Sequence, residues 1–147
     1  RRVAGRIPGD SVVTRQLVRL LIDAGSIDEA LQATRSCAER NGWCAELNGL
    51  VHYRRGDFRS ADSAFRAAAC AGPSLSPLLR VDARERLERQ SCSNQRAFAS
   101  LVWWLATPLF ASRANERLLE QLAREVLLGI HTEVQVDERF DLRAPYV

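Results

Sequence analysis

Cys37, Cys44, Cys70 and Cys92 are the most reactive side chains of this 147-residue sequence. An even number of cysteines suits a disulfide framework, and four allow three pairings. Cys37 falls near the end of a second predicted helix and Cys44 in the first turn of a third, so a short antiparallel connection brings them within bonding reach. Cys70 ends a fourth helix and Cys92 a fifth, and their pairing would pin a less regular segment onto the rest. A zinc site is one rival reading, but it needs closely spaced Cys or His pairs, and His52 and His131 are far apart. Free, packed thiols are another, because cysteine is a common core residue. Bonded cysteines would place the chain in an oxidising compartment.

The remaining chemistry is sparse. His52 sits mid-helix beside Tyr53 and reads as a packed side chain. His131 lies near the end of the last predicted helix, where a cation suits the dipole. Neither has a Ser, Cys or Asp spaced as a triad requires. Gly5-x-x-x-Gly9-Asp10 lacks the Lys-Ser/Thr of a phosphate loop. Asp28-Glu29 and Asp137-Glu138 lie at a helix start and in the tail. A non-catalytic chain without cofactor or metal is expected. All 21 basic residues are arginine, the pI is near 8.9, and the formal charge is +3. The 18 acids are interspersed with those arginines. Only Arg1-Arg2 and Arg54-Arg55 are adjacent basic pairs, so no basic stripe for nucleic acid is present.

Helical periodicity must position these groups. The composition is 46% hydrophobic, enough for one packed domain. No apolar run approaches the roughly 18 to 20 residues of a membrane span. The chain has no methionine, and a processed mature chain or a fragment is expected. Residues 1–10 read as an N-terminal extension. Val13, Leu17, Leu20, Leu21 and Ala24 form an amphipathic stripe that Gly25 ends. Ser26-Ile27-Asp28-Glu29 reads as a capping box for a second helix carrying Ala30 and Leu31 and stopping near Asn41-Gly42. Trp43, Leu47, Leu50 and Val51 form a third stripe. Gly56-Asp57 turns the chain into a fourth with Phe58, Ala61 and Phe65, closed by Pro73. Beyond it, helices are expected from Pro77 to about Gln90, from a Ser93-Asn94 cap to Pro108, and from about Ala114 to Glu133. Residues 134–147 read as an irregular tail.

Aligning Gly25 with Gly56 gives a 31-residue period that also superposes Ala30 on Ala61. A repeat of this length marks a helix-turn-helix solenoid. Gly49, Tyr53, Gly56, Asp57, Phe58, Ala61, Phe65, Ala68 and Pro73 resemble the tetratricopeptide repeat, with Asn48 and Thr34 as departures from it. The reading is an all-α domain over 11–133: repeats at about 11–41 and 42–73, then about three capping helices over 76–133.

Gly42-Trp43-Cys44-Ala45-Glu46-Leu47-Asn48-Gly49-Leu50 and Trp103-Trp104-Leu105-Ala106-Thr107-Pro108-Leu109-Phe110 add a second likeness. With Asn115-Glu116-Arg117, they resemble the helical region of bacterial GWxTD-domain proteins. Thr107 stands where those proteins tend to carry Asp, and the GWxTD element itself is missing. The resemblance implies an exported, periplasmic, disulfide-stabilised helical protein. Tetratricopeptide groove positions, carried across, fall on Arg15, Arg19, Ile22, Glu46, Leu50, Tyr53 and Arg54. Trp103 and Trp104 point about 100° apart on a helix, so one can pack while the other anchors a partner. The expected role is a non-catalytic binding or scaffold subunit, an extrinsic component docked through other protein subunits on an envelope or membrane complex. The family occurs in phototrophs, which makes a photosynthetic complex one such assembly. The alternative is a fragment of a processed exported enzyme whose active site lies outside these residues.

Overall fold

The computed structural model describes residues 11–35, 37, 42–68, 75, 78–106 and 115–141. It is all-helical, with no strand among the described residues. Helices α1 (Ser11–Asp23) and α2 (Ile27–Arg35) form one hairpin, and α3 (Gly42–Arg55) and α4 (Phe58–Ala67) form the next. The same turn closes both. Gly25 and Gly56 adopt φ of 75° and 81°, the left-handed region open to glycine. Ser26 N donates to Leu21 O at 2.8 Å and Asp57 N to His52 O at 3.0 Å, the six-to-one bond of a helix terminating on a left-handed residue. Asp57 then accepts from Ser60 N at 3.1 Å and caps α4. Hydrogen bonding from the Ser60 side chain, reinforced by that backbone bond, holds its carboxyl below the ordinary carboxylate range.

The hairpins stack through α2 and α3, burying Ala30, Leu31, Leu47, Leu50, Val51, Ala61 and Phe65 in one core. Burial in α1 centres on Val18 and Ile22, while Leu20 of the expected stripe points outward. This face is selected because α1 packs against α2, α3 and α7. Helix α2 stops at Arg35, short of Asn41, and the Thr34 hydroxyl donates to Leu31 O at 2.8 Å. Such back-bonding competes with the helical ladder. Gly42 opens α3 instead of closing α2.

The later helices depart further from expectation. Helix α5 (Val81–Glu88) is one short element with no buried residue, tied together by i,i+4 pairs Arg86–Asp82 and Arg89–Glu85. Ser91, not Ser93, caps α6 (Cys92–Leu105), accepting from Asn94 N. Asn115 caps α7 (Glu116–Asp141) by accepting from Leu118 N at 3.2 Å. The helix runs eight residues past Glu133, into the stretch expected as tail. The alternating Val134 and Val136 carry a local β preference, but each residue added to an existing helix gains a hydrogen bond without a new nucleus. Residues 1–10, Cys70, Pro73, Pro77 and Pro108 lie outside the described residues.

Candidate functional site

The predicted partner groove, on the first helices of the two hairpins, holds α7. Arg15 of α1 is ion-paired with Glu133 of α7, and its guanidinium lies 5.4 Å over the Trp43 ring. Gln16 donates from Nε2 to Ile130 O at 2.9 Å. Beneath these contacts Leu119, Leu122, Ala123 and Ile130 join the core. A cavity of about 150 Å³ remains between Arg15, Trp43, Glu46 and Val126. Leu50 and Ile22 are buried and present no surface. Arg19 faces Asp23 at 4.0 Å, Tyr53 packs on Phe58 with ring centroids 5.8 Å apart, and Arg54 is exposed. The expected groove residues therefore divide among an intramolecular helix seat, the core and open surface.

Glu46 is half-buried in this seat, and desolvation raises its carboxyl above the ordinary value of 4.5, with Arg15 opposing. A raised carboxylate pKa means the folded chain binds more protons than the unfolded one, so this residue's contribution falls as pH rises from that value through the folded one. Glu46→Gln is expected to stabilise the fold near neutral pH. The gain should disappear in acid, where both carboxyls are protonated. Urea denaturation at the two pH values checks it, and a gain that persists in acid contradicts the assignment.

Cys37 and Cys44 lie together, as their predicted juxtaposition requires, but both are free thiols. They share a hydrogen bond, and burial, that bond and the neighbouring sulfur push the Cys37 thiol up to about 12. Alkylation of Cys37 by iodoacetamide is expected to run on the order of a thousandfold slower in the folded than in the urea-unfolded chain. Equal rates, read by peptide mass spectrometry, overturn this. Cys92 is disulfide-bonded, and Cys70, its expected partner, lies outside the described residues.

His52 Nδ1 faces Asp57 Oδ2 at 3.5 Å within the α3–α4 turn, and His131 Nδ1 lies 2.7 Å from Leu127 O on an exposed face. Among the described residues, no group of three or more His, Cys, Asp or Glu could hold a metal ion. No helix among the described residues is long and apolar enough to cross a membrane.

A second concavity, of about 710 Å³, opens between α4, α6 and α7. Phe65, Leu101, Trp104, Leu118 and Leu122 supply its apolar lining, with Asp62, Arg66 and Arg96 around them. Trp103 packs against the core, while its neighbour Trp104 is 49% exposed. Arg96 reaches across from α6 to the end of α4, donating to Arg66 O at 2.9 Å and Ala68 O at 2.7 Å. Asn115 ties the far wall together, donating to Ser100 O at 3.1 Å. Of the groove-lining residues, only Trp104 was expected from the sequence. The missed signal lies at the end of α6: Leu101 to Leu105 are five consecutive apolar residues, yet of the whole helix Ala99 alone is buried.

No family model, curated protein or solved structure matches the chain.

Proposed function

We propose that the protein is a non-catalytic, tetratricopeptide-like scaffold subunit, exported and held as an extrinsic component of a larger envelope complex. One observation carries this reading. Leu101 and Trp104 of α6 remain about half exposed, although the solenoid has its own long helix available for burying apolar surface. Solvent-facing apolar side chains beside a concavity mark interaction sites, and tryptophan is a frequent anchor in them. Arg96 and Asn115 fix the walls, so ordering on association costs little. The disulfide at Cys92 supports an oxidising compartment.

Cross-linking mass spectrometry on protein purified natively in mild detergent tests the reading. A stoichiometric protein partner, cross-linked at positions flanking Trp104, is the expected result. A chain that purifies alone, with only intramolecular cross-links, overturns it.

A further inference from the structure

Resting on that subunit reading, we infer that the α4–α6–α7 groove binds an amphipathic helix of a partner protein that carries a carboxylate beside its apolar stripe. The molecule already holds one helix in this way. Helix α7 seats Leu119, Leu122, Val126 and Ile130, spaced i, i+3, i+7 and i+11, on the α1–α3 surface. Its Glu133, one turn further on, is gripped by Arg15.

The outer groove repeats both elements of that seat. Leu101 and Trp104 form an exposed apolar surface beside the buried Phe65, and arginines stand beside it. Arg66 is paired with Asp62 at 2.8 Å. Arg96 donates to carbonyl oxygens only, so among the described residues its charge meets no carboxylate. Among its described residues the groove therefore holds one positive charge in excess, complementary to an acidic side chain.

Shape favours a helix over a lipid surface. The apolar residues line a concavity between three helices, which takes protruding side chains, whereas a bilayer surface offers none. Along α6, Leu101, Trp104 and Leu105 recur at i, i+3 and i+4, the spacing that meets a second helix laid alongside.

The probe is a dansylated synthetic peptide of about 16 residues, roughly four helical turns, with leucines at i, i+3, i+7 and glutamates on the flanks. A second peptide replaces every glutamate by lysine. Fluorescence anisotropy against the whole protein should show the acidic peptide binding about tenfold tighter or more, a difference reasonable for one charged contact. Leu101→Glu alters a side chain already 53% exposed, so the fold should be kept, with an unchanged circular dichroism melt as the check. This variant should lose the acidic peptide by about tenfold or more. Arg96→Gln should bring the two peptides to equal affinity.

Failure of the acidic peptide to bind, equal affinity of the two peptides for the unaltered protein, or insensitivity to Leu101→Glu each overturns the inference. So does binding to phosphatidylglycerol vesicles without binding to the peptide, which assigns the face to lipid. A dimer seen in sedimentation that Leu101→Glu dissociates also overturns it, assigning the face to a second copy. The titration needs no native partner. Its failure removes the helix assignment and leaves the subunit reading in place, whereas purification of a solitary chain removes the subunit reading itself.

Discussion

Leu119→Ala is expected to destabilise the protein by about 3 kcal/mol, the cost of deleting a fully buried leucine and leaving part of its volume empty. Leu119 is 0% exposed and lies in the same core as Leu47 and Leu50 of α3. The matched control is Leu128→Ala on the opposite face of α7, where the side chain is 63% exposed and the change should stay within about 0.5 kcal/mol. Urea denaturation followed by circular dichroism measures both. The contrast tests whether α7 is part of the folded unit. Were α7 a detachable appendage, Leu119→Ala would loosen that helix alone, leaving the main transition midpoint where it was.

Gly49→Ala is expected to cost about 2 kcal/mol, against the direction that helix propensity predicts. Alanine is favoured over glycine within a helix by about 1 kcal/mol. At this position the added methyl would lie 2.6, 2.7 and 2.9 Å from three ring carbons of Phe65. Phe65 is 3% exposed, with its ring held between packed helices. Overpacking a core position of this kind costs about 1 to 3 kcal/mol and occasionally more, which outweighs the propensity gain. Phe65→Leu removes the ring, so the two changes should couple. The double variant is expected to be less destabilised than the sum of the singles by about 1 to 2 kcal/mol. Strict additivity, or a Gly49→Ala variant as stable as the parent, would show that the ring yields.

Local rules explain which parts of the fold were legible in the sequence. Gly25 and Gly56 punctuate two hairpins because only a residue tolerant of positive φ closes those turns, and the 31-residue spacing follows from them. Ala30 and Ala61 are both fully buried because each lies at the same place in its hairpin. The length of α7 was not legible, since Val134 and Val136 advertise strand while the helix behind them continues. Nor was its destination. Arg15, Glu46 and Leu50 stand at groove positions in a repeat considered alone, but α7, more than sixty residues beyond α3 and about a hundred beyond α1, fills that groove. No periodicity encodes such a pairing. The candidate site was half legible: adjacent indoles pointing in different directions announced one exposed tryptophan. Arg96 could not be assigned to the groove, because its carbonyl partners belong to a helix thirty residues earlier.

The ion pair between Arg15 and Glu133 spans 118 positions of sequence, and Gln16 to Ile130 spans 114. Repeat arrays are ordinarily near-linear systems that fold from any unit and fray from either end. A chain that brings its last helix back to its first has high contact order, and the closure entropy must be met before the returning contacts form. Folding should consequently be slower than in an open array of equal length. In native-state hydrogen exchange, α1 and α7 should open together with α3 in a single cooperative event.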